Sequence, residues 1–229
     1  MSSGLTRRTW LAHAALGVGT LAAAARAGQQ EGRIPTPRQT QGPFYPVQDQ
    51  PDKDLDLTRL EGAAASAMGT VVLLDGAVRT LDGAPIAGAL VEIWQACASG
   101  RYNHPRDRNP ALLDPNFQYW GRVTTDATGR YGFKTIKPGA YPNDPDWVRP
   151  PHIHFRVVAP GFPALTTQMY FEGEDLNLRD RILLDLTPAE RKLVTRVFEP
   201  VRGQAGDLAG RFDIILGRRG TDGATPELD

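Results

Sequence analysis

The segment Arg149-Pro150-Pro151-His152-Ile153-His154-Phe155 places two histidines two residues apart in a β-prone run. On a strand, alternate side chains share a face, so His152 and His154 point together while Ile153 points into the opposite layer. Two imidazoles on one face can share a metal ion; the same spacing also suits an ordinary hydrogen-bonded pair of histidines. Tyr102, in Gly100-Arg101-Tyr102-Asn103-His104, follows the end of a strand, and Tyr141, in Pro138-Gly139-Ala140-Tyr141-Pro142, lies in a loop just upstream of the histidines. A tyrosine in so Pro- and Gly-rich a segment is poorly explained by core packing. Phenolate is a hard anionic oxygen donor, and two phenolates with two imidazoles suit a ferric ion better than zinc or copper(I). The charge of such an ion would drive off each phenolic proton. A Zn(II) hydrolase site on His152 and His154 would need a third His, Asp or Glu ligand, and none stands at a suitable spacing.

These residues need a rigid frame, and the chain after Gly69 supplies the pattern of one: short β-prone runs divided by turn residues, the rhythm of an all-β, two-sheet sandwich. Strands are predicted over Thr70–Leu74, Ala89–Gln95, Tyr119–Thr125, Tyr131–Ile136, His152–Ala159, Leu165–Phe171 and Arg211–Leu216. Turns are predicted at Leu81-Asp82-Gly83-Ala84-Pro85 and Asp126-Ala127-Thr128-Gly129. One short C-terminal helix has a clear start, because Thr187-Pro188-Ala189-Glu190 combines an N-cap, a proline in the first turn and a capping-box glutamate. It is predicted to run to about Phe198. Residues 28–60, rich in Pro, Gln and Asp, form an extended N-terminal arm carrying Gln41-Gly42-Pro43-Phe44-Tyr45-Pro46; 61–218 form the sandwich and 219–229 a flexible tail.

Composition narrows the partners. Lys plus Arg and Asp plus Glu both number 26 in 229 residues, so no basic excess points to nucleic acid or an anionic membrane surface. Cys97 is the single cysteine, which rules out a disulfide within the chain and suits a buried thiol. Residues 1–27 read as an export signal: Arg7-Arg8 precede a mildly apolar stretch from Leu11 to Ala25, which ends in the small-residue site Ala25-Arg26-Ala27. The paired arginines favour the twin-arginine route to the periplasm or exterior, a route that carries folded proteins. After cleavage no membrane association is expected.

The motifs together carry a resemblance. Gln41–Pro46, Val91-Glu92-Ile93-Trp94-Gln95-Ala96, Gly100-Arg101-Tyr102, Thr124-Thr125-Asp126 with Gly129-Arg130-Tyr131, Pro138–Pro142, Arg149–Phe155 and Thr167-Gln168-Met169-Tyr170-Phe171-Glu172 are similar, in order, to the intradiol ring-cleavage dioxygenases, in particular the catalytic (beta) subunit type of protocatechuate 3,4-dioxygenase. The resemblance covers about Thr40 to Phe171, with a weaker match at Arg211–Leu216. It implies Fe(III) held by Tyr102, Tyr141, His152 and His154, with Tyr141 the ligand displaced when substrate chelates the metal. It implies that Arg149 and Gln168 face the bound ring without touching iron, that Trp94 packs beside the site, and that the substrates are a catechol and O2. An oligomer, homo- or hetero-, is implied as well. Asn143 departs from the pattern, since relatives of the protocatechuate type often carry an aromatic residue there, and the arm is too short for the helical N-terminal region of the catechol and hydroxyquinol branches. Both departures leave the particular catechol open. Of the other candidates, Tyr45 suits either the substrate mouth or packing of the arm, His104 a solvent-exposed loop, and Tyr119, Trp120, Tyr131 and Tyr170 core or rim positions. The competing reading is an exported, non-catalytic β-sandwich binding module.

Overall fold

A computed structural model describes residues 33–50, 52–204 and 206–218. The export signal of residues 1–27 and the tail of 219–229 lie outside the described residues. Twelve strands are present among them: β1 (Val71–Thr80), β2 (Leu90–Trp94), β3 (Trp120–Thr124), β4 (Arg130–Ile136), β5 (Tyr141–Asp144), β6 (Trp147–Arg149), β7 (His152–Val158), β8 (Leu165–Phe171), β9 (Thr195–Arg196), β10 (Phe198–Pro200), β11 (Leu208–Arg211) and β12 (Ile214–Leu216). Two short helices, α1 (Arg181–Leu184) and α2 (Pro188–Val194), and a 3₁₀ turn at Asp175–Leu178 complete the elements. None of the helices is long and apolar enough to cross a membrane.

The strands form two five-stranded mixed sheets. One runs β10-β11-β1-β12 with β4 also paired to β1; the other runs β3-β2-β7-β8-β9; β5 and β6 make a separate ribbon. The core lies between the two sheets. Val72, Leu74, Phe133 and Ile214 come from the first, and Val91, Ile93, Ile153, Phe155, Val157 and Met169 from the second. Burying each such Val, Leu, Ile, Phe or Met side chain contributes about 1.5–3 kcal/mol. Period two then sends their neighbours Trp94, His152, His154, Gln168 and Tyr170 to the outer face of the second sheet.

The expected boundaries need three corrections. β1 runs on to Thr80 instead of stopping at Leu74, because β4 pairs with it through Ala77 and β12 from Val78 onward; Gly76 admits the close approach of Phe212, since a Cβ there would sit 1.9 Å from the Phe212 carbonyl oxygen. The strand expected at Arg211–Leu216 is split. β1 pairs in parallel first with β11 (Asp75 opposite Arg211) and then, in the same register, with β12 (Val78 opposite Ile214), so the ladder is interrupted only at Phe212 and Asp213. The capping box at Thr187 and Glu190 forms as expected, but α2 ends at Val194 rather than near Phe198. There Thr195 and Arg196 leave the helix to pair with Tyr170 and Phe171 of β8. A second helix, α1, was not expected.

Candidate metal centre

Cross-strand register assembles the first half of the site. Trp94 stands opposite His154 between β2 and β7; His154 stands opposite Gln168, and His152 opposite Tyr170, between β7 and β8. Trp94 stacks on the His154 ring with centroids 4.8 Å apart and planes 11° from parallel. The two imidazoles converge, their Nε2 atoms 3.2 Å apart. His152 Nδ1 lies 2.7 Å from the Pro150 carbonyl oxygen and donates to it, which leaves the Nε2 lone pair facing the site. Burial, helped by the positive charge of Arg149, holds both histidines well below their ordinary pKa, so both are neutral.

The tyrosines arrive on two other segments. The ribbon brings Tyr141, the first residue of β5, opposite Arg149, the last of β6; Tyr141 thus lies at a strand end and not in the loop expected for it. Pro150 and Pro151 then turn the chain from Arg149 into β7. Tyr102 lies in the loop after β2, its backbone N–H donating to Asp107 Oδ2 at 2.6 Å. Glycine lets the two segments touch: Gly100 has φ +83°, and a Cβ on it would meet the Ala140 carbonyl oxygen at 2.2 Å and Tyr141 Cβ at 3.3 Å. The rings of Tyr102 and Tyr141 meet edge to face at 5.4 Å, Tyr141 lies 5.6 Å from His152, and Tyr102 lies 6.3 Å from His154. All four side chains are at least 96 % buried.

This donor set fits a metal cation. Tyr102 Oη is buried with no hydrogen-bond partner, and two imidazole nitrogens are aimed at one another. Burial, reinforced by the Tyr141 phenol, raises the Tyr102 pKa well above its ordinary value; burial raises that of Tyr141 too, against the pull of Arg149. A cation among these oxygens and nitrogens would reverse the cost of ionising the phenols and give the orphaned oxygen a partner.

A polar network backs the centre. Arg149, 3 % exposed, donates from Nε to Asp180 Oδ2 at 2.6 Å and from Nη2 to Gln168 Oε1 at 2.6 Å. Gln168 is held in turn by the arm: its backbone N–H donates to Gln39 Oε1 at 2.9 Å, and its Nε2 to the Thr40 carbonyl at 3.1 Å. The arm then passes over the imidazoles, where Gly42 (φ +69°) leaves 3.4 Å between a would-be Cβ and His154 Cε1. Phe44 packs on Tyr102 at 4.7 Å, and Tyr45 meets Trp94 edge-on at 5.0 Å. An open groove of about 480 Å³ between Glu172, Lys192, Thr195 and Arg211 contains none of these donors.

The six residues singled out in the sequence, Tyr102, Tyr141, Arg149, His152, His154 and Gln168, are therefore in one place. Two other expectations change. His104 is 8 % exposed rather than solvent-facing, because it packs against Phe44 at 5.7 Å and its Nδ1 accepts from the Arg106 backbone. Tyr170 is no simple core aromatic, since its Oη meets both Gln168 and Arg149. Asp180, Phe44 and Gln39 were missed. Asp180 carries only an N-cap signal before Arg181-Ile182-Leu183, and Gln39 carries none.

A sequence profile described as Dioxygenase matches residues 40–218, and a protocatechuate 3,4-dioxygenase beta chain from Burkholderia cepacia is 40 % identical, with 97 % of this chain and 96 % of that one aligned. The chain belongs to the intradiol ring-cleavage dioxygenase family. A catechol 1,2-dioxygenase from Acinetobacter lwoffii is 36 % identical over 66 % of this chain but only 56 % of its own length, so that relative is a longer protein. Among solved structures, the dioxygenase domain of a dioxygenase carbohydrate-binding protein fusion from Streptomyces sp. SirexAA-E superposes with a TM-score of 0.59 at 30 % identity, covering 80 % of this chain and 98 % of that one. The intradiol fold is thus shared from Thr40 through β12, the span that contains every residue of the centre.

Proposed function

We propose that this intradiol family member is an Fe(III)-dependent enzyme that cleaves a catechol-type ring with O2 between its two hydroxyl-bearing carbons. The product is a cis,cis-muconate-type dicarboxylate. Both atoms of O2 are needed in the balance, because two carbons that each carry one oxygen leave as carboxyl groups. The observation that carries the reading is the convergence of the Tyr102, Tyr141, His152 and His154 donors, with the Tyr102 oxygen left unpaired.

Ferric iron held by those four residues would supply a charged chelation point for both catechol oxygens and draw electron density from the ring. The chain's own groups do the rest. Tyr141 Oη, beside the Arg149 charge, is the oxygen that gives way to substrate and takes up a catechol proton. Arg149 faces negative charge building on the ring; fixed donors of this kind are typically worth about 3–4 kcal/mol in mutants. Gln168 holds Arg149 Nη2. Phe44, Tyr45 and Trp94 exclude water from the buried donors, which strengthens each of these interactions.

The test is the visible spectrum of the purified protein, before and after anaerobic addition of catechol. A tyrosinate-to-iron(III) band that moves to longer wavelength is the expected result. A protein that stays colourless after iron reconstitution would favour the non-catalytic sandwich instead. The name of the Burkholderia relative, a beta chain, supports an assembled enzyme, homo- or hetero-oligomeric, and light scattering of the purified protein decides between assembly and monomer. Export through the twin-arginine signal at Arg7-Arg8, placing the reaction outside the cytoplasm, belongs to the same proposal.

A further inference from the structure

Asp180 is completely buried, and the chemistry above makes no use of it. It precedes α1, and its Oδ1 caps that helix by accepting from the Leu183 backbone N–H at 2.8 Å. Its Oδ2 accepts from Arg149 Nε at 2.6 Å. Both oxygens are thus committed to fixed partners, so the carboxylate cannot turn. A cap alone does not require a carboxylate, because Asn caps helices as well as Asp does. The negative charge has another role.

The guanidinium it meets is restrained from three sides. Nε is held by Asp180, Nη2 by Gln168 Oε1 at 2.6 Å and more weakly by Tyr170 Oη at 3.3 Å, and the Trp147 ring lies 5.3 Å from the guanidinium carbon. Nη1 takes no part in these bonds. Trp147 also faces Arg181, the first residue of α1, at 5.1 Å, so the helix that Asp180 caps supports both flanks of Arg149. A long side chain held this way has lost its rotamer freedom before substrate arrives, which is what aiming a charge requires.

We infer that Asp180 is a positioning residue for the ring-cleavage reaction: it locks Arg149 so that the Nη1 edge is presented to the substrate. The inference rests on the reading of Arg149 given above. The ion pair joins two segments 31 residues apart, so α1 belongs to the catalytic frame although none of its residues donates to the centre.

The test is Asp180→Asn in the iron-loaded full chain. The amide can still cap α1, but it removes the charge and cannot satisfy both partners as the carboxylate does. The expected result is an unchanged anaerobic catechol spectrum with kcat and kcat/KM falling together about ten- to a hundred-fold, the loss typical of a misaimed group. In an Arg149→Gln background, Asp180→Asn should produce no further loss. Ala189→Gly serves as the structural control, since it weakens α2, not α1, from an exposed position; if it lowers kcat as much as Asp180→Asn at equal loss of Tm, the role of Asp180 is stability alone. Wild-type kcat in Asp180→Asn would overturn the inference, whereas wild-type kcat in Arg149→Gln would instead overturn the reading of Arg149. NMR of the wild-type protein loaded with Ga(III), a diamagnetic stand-in for Fe(III), answers the question even if the variant does not fold. The Arg149 Nε–H, assigned by its loss in Arg149→Gln, should exchange slowly with solvent, and exchange at the rate of a free arginine would refute the lock.

Discussion

The phenol of Tyr141 is under opposed demands, because burial penalises its anion while Arg149, its cross-strand neighbour, favours it. A group balanced in this way suits a ligand that must also leave. Tyr141→Phe should therefore keep iron but lose most of its turnover, by about a hundred-fold or more if both a base and a ligand are lost; iron content by mass spectrometry beside kcat checks this, and unaltered turnover would refute the displacement role. His152→Ala should instead abolish iron retention, because it removes the one imidazole whose Nδ1 is committed to a backbone carbonyl. At this scale the sequence was informative. The spacing of His152 and His154 needs only the period of a strand, and a tyrosine surrounded by Pro and Gly stands out. Asp180 and Gln39 did not stand out, because a buried carboxylate and an ordinary surface one are spelled alike, and Gln39 meets Tyr170 across 131 residues.

Elements were legible where local chemistry decides them and illegible where a distant partner does. The Thr187 capping box fixed the start of α2, yet its end depends on β8 offering Thr195 an edge, which no window around Thr195 reveals. The strand expected to end at Leu74 runs on through Gly76, and the residue that requires a glycine there, Phe212, is 136 positions away. The turn before β4 is local and therefore testable alone. Asp126 accepts from the backbone of Arg130 and from both the backbone and hydroxyl of Thr128, and these bonds, that from Arg130 foremost, hold its carboxyl below the usual range. A depressed carboxylate stabilises the fold above its unfolded pKa of about 4 and ceases to do so as pH falls through its folded value. Asp126→Asn, which keeps an acceptor but no charge, should lower the urea midpoint at pH 7, with the gap to wild type closing at a pH well below the ordinary aspartate value. A gap of equal size at both pH values would show that the charge contributes nothing.

For the molecule as a whole, the export proposal makes a clear prediction. Replacing Arg7 and Arg8 together with lysine should leave folded, iron-bearing protein in the cytoplasm, read by fractionation and by the same visible band. Secretion that continues undiminished would refer the signal to another route. The sandwich itself was legible from its rhythm of strands and turns. The cover over its outer face was not, because the arm has no period and its partners are scattered from Tyr102 to Ile215. Thr36 exchanges hydrogen bonds with Ile215, Gln39 donates to the Thr166 carbonyl, and Gly42 and Phe44 lie over the ring of His154 and the ring of Tyr102. The ribosome makes this arm before any of these partners, and its last partner, Ile215, follows Thr36 by 179 residues. A nascent chain therefore has its two histidines and two tyrosines outside the tunnel well before the strand that pins the arm across them. The cover is thus fastened in stages, at Thr166 and Gln168 and then at Ile215, which would leave the donors a window in which to take up a metal before the last fastening forms.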